Sequence, residues 1–77
     1  MDAVEVIAKW DRDGMPYPIY FWWQGEKYLI TQTGRRWSDS EGEHMLCAVE
    51  DGQVFELIFS ADKGWQLGEK TTGVRFV

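Results

Sequence analysis

The apolar residues of this chain come in short runs separated by turn-forming residues, and no run keeps helical spacing beyond about two turns. Residues 4–10 begin this pattern, since apolar and mainly polar side chains alternate with the two-residue period of a half-buried strand. The other strand-like runs are 19–24, 27–32, 45–49, 54–59 and 65–67, with residues 74–77 as a candidate terminal strand. The sequence therefore predicts an all-β protein built from antiparallel hairpins.

Gly25-Glu26 lies between two strand-like runs and predicts a two-residue loop, with glycine first as a type II′ turn requires. This loop would give a hairpin with two largely apolar faces. The predicted cross-strand pairs are Trp23 with Tyr28 and Phe21 with Ile30 on one face, and Trp22 with Leu29 and Tyr20 with Thr31 on the other.

Asp51-Gly52 is the strongest turn signal in the chain and predicts a type I′ hairpin. That register would group Leu46, Ala48, Phe55, Leu57 and Phe59 on one apolar face, with Met45, Cys47, Val49, Val54, Glu56 and Ile58 on the other. Between the hairpins, residues 33–43 are polar and acidic and predict a loop, from which Trp37 would turn inward.

A flat sheet with two apolar faces would aggregate, so the sheet must curl, form a sandwich or cover one face by dimerising. We expect it to curl. The prediction is one all-β domain over residues 1–77, with a small, strongly bent antiparallel sheet of five to six strands arranged as an SH3-like barrel or meander.

Composition limits the function. Twelve aromatic residues can fill the small core of a 77-residue chain, whereas one Cys and one His allow neither a disulfide nor a zinc staple. The net charge of −5 disfavours nucleic acid and anionic membranes as partners. The sequence shows no signal peptide or membrane-spanning run, and a single Cys fits a reducing compartment, so a cytoplasmic protein is expected.

Three short motifs and one isolated tryptophan follow one another along residues 18–67. They are W-x-G-x-x-Y at Trp23–Tyr28, the isolated Trp37, G-x-x-F-E-L at Gly52–Leu57 and W-x-L at Trp65–Leu67. This order resembles a family of short bacterial aromatic-rich β domains that have no established function. Some members of that family are associated with genes for error-prone DNA synthesis and repair, so the resemblance implies a repair context. Residues 1–17 lie outside the resemblance.

The residues give little support for catalysis. His44 and Cys47 are three apart and would point to opposite faces of a strand, so they could share neither a metal nor a proton. The acidic residues Asp39, Glu41 and Glu43 lack the full spacing of a calcium loop. We therefore expect no enzyme activity, no metal and no cofactor.

Two groups of residues are candidates for binding. Tyr20, Trp22 and Leu29 would form an aromatic patch if the sheet leaves their face open. Arg35, Arg36 and Trp37 could hold a phosphate and stack a base. The sequence thus predicts a non-catalytic module that binds a protein partner or itself through an aromatic sheet face; the alternative is an accessory single-stranded nucleic-acid binder.

Overall fold

A computed structural model describes residues 2–70 and shows seven antiparallel β-strands. The strands are β1 (Asp2–Ala3), β2 (Glu5–Trp10), β3 (Pro16–Trp23), β4 (Glu26–Asp39), β5 (Gly42–Val49), β6 (Val54–Ser60) and β7 (Gly64–Lys70). Only Val4 separates β1 from β2, so these two count as one continuous segment of a six-stranded sheet. The prediction of an all-β, strongly bent antiparallel sheet is confirmed, whereas the candidate strand 74–77 lies outside the described residues.

The sheet is a meander with the order β1-β7-β6-β5-β4-β3-β2. Residues 2–10 pair at both of its ends, because Asp2 lies opposite Leu67 while Glu5 lies opposite Trp22. Between them, the amide of Val4 donates to the carbonyl of Trp65 at 3.2 Å. One short segment can reach both β7 and β3 only if the sheet curls strongly, so the curvature follows from this double pairing. None of the described residues forms a helix long and apolar enough to cross a membrane.

The core fills the inside of the curl. Its buried residues come from β3, β5, β6 and β7: Phe21, Met45, Cys47, Val49, Phe55, Leu57 and Leu67. The Phe21 ring lies 5.2 Å from the Tyr28 ring and 5.3 Å from the Phe55 ring, in stacked and edge-to-face geometry. These contacts join the two hairpins across the interior. Aromatic packing of this kind stabilises a small chain whose single Cys and single His allow neither a disulfide nor a zinc site.

The first hairpin turns one residue earlier than predicted. Trp23 pairs with Glu26, and both Gln24 (φ 51°) and Gly25 (φ 81°) have positive φ, which defines a type I′ turn rather than II′. The predicted cross-strand pairs are therefore wrong, since Phe21 lies opposite Tyr28 instead of Ile30. The partner strand has shifted by two residues, and a shift of two leaves each side chain on its predicted face.

The second hairpin differs more from the prediction. Its loop has three residues, Glu50 to Gly52, with the Gly52 amide donating to the Val49 carbonyl at 2.9 Å. Of the loop residues only Gly52 has positive φ, so this is a type I turn closed by a glycine bulge. The register slips by one residue, and Cys47 pairs with Phe55 instead of Glu56.

A one-residue slip moves side chains to the opposite face. Met45 and Cys47 consequently share the interior with Phe55 and Leu57, whereas Leu46 lies on the outer side opposite Glu56. The predicted grouping of Leu46 with Phe55 and Leu57 is therefore wrong.

The predicted loop over residues 33–43 is also wrong. Strand β4 continues to Asp39, and β5 begins at Gly42, so only Ser40 and Glu41 lie between the strands. Two irregularities in the β4–β5 register, after Ile30 and after Thr33, bend this long strand around the core. Trp37 is part of β4, half-buried and opposite His44, and does not reach inward from a loop.

Candidate interaction surface

Two rows of side chains cross the outside of strands β2, β3 and β4. In one row Ile7 pairs with Tyr20 and Tyr20 with Leu29; in the other Glu5 pairs with Trp22 and Trp22 with Lys27. Directly paired residues project on the same side of a sheet, and the neighbouring residues Val6, Phe21 and Tyr28 pack against the core. We call this surface the outer face, made of Glu5, Ile7, Tyr20, Trp22, Lys27 and Leu29.

The outer face is apolar and open. Ile7 is 41% exposed and Leu29 is 44% exposed, while Tyr20 and Trp22 between them are partly exposed. The sequence placed Tyr20, Trp22 and Leu29 together, and the structure brings them to this one face. Exposed aromatic and branched aliphatic side chains in contact are typical of binding surfaces.

The aromatic side chains of the outer face hold each other in place. The Tyr20 and Trp22 rings meet edge to face at 5.2 Å, and the Lys27 ammonium lies 4.1 Å from the centre of the Tyr20 ring. A cation over the tyrosine ring limits the motion of both side chains. Side chains that already contact one another lose less conformational entropy when a partner covers them.

Ile7 is a member of this surface that sequence reasoning missed. It is the one apolar residue on the polar side of the alternation in β2, flanked by Glu5 and Lys9. The sequence feature that could have identified Ile7 is an apolar side chain on a strand face that is otherwise polar. A register shift between Ile7 and Ala8 also leaves Ile19 outside the regular pairing and 39% exposed, beside this face.

A cleft of about 410 Å³ adjoins the outer face between the tips of the first and second hairpins. Lys27 and Leu29 belong to both the cleft and the outer face, and the cleft also contains the carboxylates of Glu26, Glu50 and Asp51. Burial and the charges of Glu26 and Asp51 raise the pKa of the neighbouring Tyr28. The border of the outer face is thus negative and opposes a polyanionic ligand.

The second predicted group, Arg35, Arg36 and Trp37, is divided by the strand it belongs to. Arg35 and Trp37 share the outer side of β4, with the guanidinium carbon 5.4 Å from the centre of the indole ring. Arg36 points to the opposite side, where it lies across from the buried Met45. The two arginines therefore cannot act on one phosphate.

The Arg36 side chain is engaged inside the fold. Its Nη2 donates to the Pro16 carbonyl at 2.9 Å, and its guanidinium carbon lies 4.9 Å from the centre of the Tyr17 ring. Its Nε and Nη1 are buried without a hydrogen-bond partner among residues 2–70. Through its hydrogen bond to Pro16 and its contact with the Tyr17 ring, Arg36 links β4 to the start of β3.

His44 is the centre of a polar cluster that the sequence analysis did not predict. Its Nδ1 lies 2.7 Å from a Glu56 carboxylate oxygen and its Nε2 lies 2.7 Å from an Asp39 oxygen. The imidazole stacks on Trp37 with the ring centres 5.0 Å apart. Strand pairing positions these groups, since His44 lies opposite Trp37 on β4 and Ile58 on β6, within reach of the Glu56 side chain. We call Asp39, His44 and Glu56 the histidine clamp.

The geometry of the histidine clamp indicates a charged imidazole. A protonated imidazole can donate from both ring nitrogens, so two carboxylate oxygens at 2.7 Å, one on each side, favour the imidazolium form. Burial, at 3% exposure, acts to lower the pKa of His44, but the hydrogen bonds and charges of Glu56 and Asp39 outweigh it and raise that pKa. In turn, the hydrogen bond from His44 and those from the backbone amides of the turn lower the pKa of Asp39.

Asp39, Glu41 and His44 also offer ligand atoms within 4.8 Å of one another, as a metal site would. A metal needs a free lone pair on the imidazole, whereas Nε2 lies 2.7 Å from an Asp39 oxygen and is already engaged with that carboxylate. The raised pKa of His44 opposes the loss of a ring proton. This arrangement is suited to holding two strands and a turn together.

Cys47 lies on the other side of β5, in the core, and is fully buried. Burial raises its pKa to about 12, although the charge of Arg36 acts in the opposite direction. The thiol therefore stays protonated and unreactive at neutral pH. His44 and Cys47 lie on opposite faces of their strand, as strand alternation predicts.

Fold and surface together define a small all-β domain with an open aromatic face and a buried histidine held between two carboxylates. Comparison with family models, with curated proteins and with solved structures found no match for this chain. The resemblance to short bacterial β domains accordingly stays a prediction from sequence.

Proposed function

We propose that this domain is a non-catalytic interaction module that binds a protein through its outer face. The observation that carries the proposal is the row Ile7–Tyr20–Leu29, which crosses three strands, is exposed at both ends and is bordered by Trp22. Tyr and Trp contribute most to protein–protein affinity when a partner excludes water from them. A rigid sheet presents them here without a loop that would need to be ordered first.

The charges around the outer face favour a protein over a nucleic acid. A single-strand binder needs a basic groove beside its stacking rings. Lys27 is the only cation in the rows of the outer face, and the adjoining cleft holds three carboxylates. The other stacking candidate, Trp37, has Arg35 beside it but lies against His44, whose neighbours are Asp39 and Glu56.

A photo-crosslinking amino acid at position 29 tests the proposal in cells that express the chain. We expect a discrete protein adduct, because the Leu29 side chain points out of the face that a partner would cover. The matched control carries the same amino acid at Asp62, an exposed position in the turn between β6 and β7. Crosslinking at position 62 should give no such adduct.

A second substitution makes the test specific to the surface. Ile7→Ser changes a neighbouring exposed side chain, so it should suppress the adduct at position 29 without unfolding the domain. The proposal fails if position 29 gives no adduct, or if its adducts match those from position 62 and persist in the Ile7→Ser background.

A further inference from the structure

We infer that the partner of the outer face is a second copy of this chain, related to the first by a twofold axis parallel to β3. This inference rests on the proposed function, since it names what covers the same face. The inference comes from the order of side chains in the two rows, because a twofold rotation sets each side chain opposite one that complements it.

The twofold axis inverts the order of the strands. When two copies meet face to face about an axis along β3, strand β2 of one copy lies over β4 of the other. Ile7 then meets Leu29 of the second copy, and Leu29 meets its Ile7. Tyr20 and Trp22 lie in the central strand and meet their own counterparts at the axis. Along the first row, Tyr20 therefore faces Tyr20 at the axis, and the exposed Ile7 and Leu29 of the two copies flank this contact on either side.

The second row is complementary in charge. Glu5 and Lys27 flank Trp22 on opposite sides, so the same axis sets Glu5 of each copy against Lys27 of the other. Neither residue forms a salt bridge within the part of the chain that the structure describes, where the Lys27 ammonium lies over the Tyr20 and Trp22 rings. Two intermolecular ion pairs would therefore form at symmetric positions without an intramolecular ion pair being broken, and the Lys27 ammonium would move from the Tyr20 ring toward Glu5 of the second copy.

The net charge of −5 on each copy opposes association at long range. At physiological ionic strength charges are screened beyond roughly 8 Å, whereas groups in contact still interact. The local pairing of Glu5 with Lys27 therefore decides the orientation of the dimer. An axis perpendicular to the strands and midway between the two rows would set Glu5 against Ile7 and Lys27 against Leu29, so each charge would face an apolar side chain without a partner.

Charge-reversal variants of the full chain test this orientation by analytical ultracentrifugation. The wild type should dimerise, while Glu5→Lys and Lys27→Glu should each weaken dimerisation by about a hundredfold or more, because like charges then face each other. An equimolar mixture of the two variants should form a heterodimer of about wild-type affinity, since each like-charged copy meets its opposite. The double variant with both changes should dimerise on its own.

Asp62→Lys and Lys63→Glu are matched controls, because they make the same changes in net charge in the turn between β6 and β7. Both should dimerise as the wild type does, and circular dichroism verifies that every variant is folded. The inference is overturned if the wild type is monomeric at millimolar concentration, or if mixing the two reversal variants restores nothing. A monomeric wild type that still gives a position-29 adduct with another protein would overturn the second copy as partner and leave the proposed function intact.

Discussion

Gly42 is the backbone position at which one added methyl group should do the most damage. It begins β5 with φ +137°, a region that residues with a side chain rarely adopt. A Cβ at this position would overlap the carbonyl oxygen of Phe59 and lie 3.0 Å from its carbonyl carbon. The obstacle is backbone of β6, so it cannot turn away as a flexible side chain could.

The cost of Gly42→Ala can be worked from these two effects. The unfavourable φ costs about 1–3 kcal/mol. Moving β6 away from position 42 weakens roughly two ladder hydrogen bonds near Glu43 and Phe59, at about 0.5–1.5 kcal/mol each. The sum, about 2–6 kcal/mol, is a large share of the roughly 4–12 kcal/mol expected for a domain of this size.

Urea unfolding followed by tryptophan fluorescence measures this loss, and Gly14→Ala is the matched control. Gly14 has φ +80° but nothing within 4 Å of an added Cβ, so it should show the φ cost alone. If Gly42→Ala loses no more stability than Gly14→Ala, the close approach of β5 and β6 at Phe59 is not as described.

The histidine clamp and the buried thiol give two further predictions. Because the pKa of His44 is raised in the fold, its contribution to stability is complete below the unfolded value of about 6.5 and is lost as pH rises through the folded pKa. The free energy of unfolding should therefore fall as the pH rises above about 6.5, and His44→Gln should flatten this slope in urea titrations. An equally steep slope in His44→Gln would mean that another group titrates there. Cys47, with a pKa of about 12, should resist iodoacetamide in the native protein at pH 7.5 and react in about 8 M urea; rapid native labelling, measured by mass spectrometry, would contradict its burial.

The two hairpins show which parts of the fold a sequence can predict. In both, the turn was located to within one residue, since Gly25 and Gly52 are needed at positions of positive φ. The first hairpin kept its predicted faces because its register error was two residues. In the second hairpin, side chains lie on the face opposite to the predicted one, because Asp51-Gly52 suits both a two-residue turn and a three-residue turn with a glycine bulge. Loop length depends on which residues the core accepts, and the turn dipeptide does not encode it.

The candidate site was predictable to the extent that it follows strand alternation. Tyr20, Trp22 and Leu29 were placed together from their spacing alone, and the structure confirms that they share a face. The histidine clamp was not predictable, because Asp39 was assigned to a loop and Glu56 to the wrong face. Its three members come from separate elements that meet only when β4 extends to Asp39 and β5 pairs with β6 in the observed register.

The double pairing of residues 2–10 also has a consequence for how the domain folds. Asp2 pairs with Leu67, so the contact that completes the sheet joins residues 65 positions apart (67 − 2). Such a contact requires a large loop to close, and proteins dominated by distant contacts fold slowly. Residues 2–10 leave the ribosome well before β7, and until β7 follows them they can pair only with β3. Until β7 emerges, the growing chain therefore exposes an unpaired strand edge to its neighbours, and the pairing of β7 with β1 is the step that removes this edge.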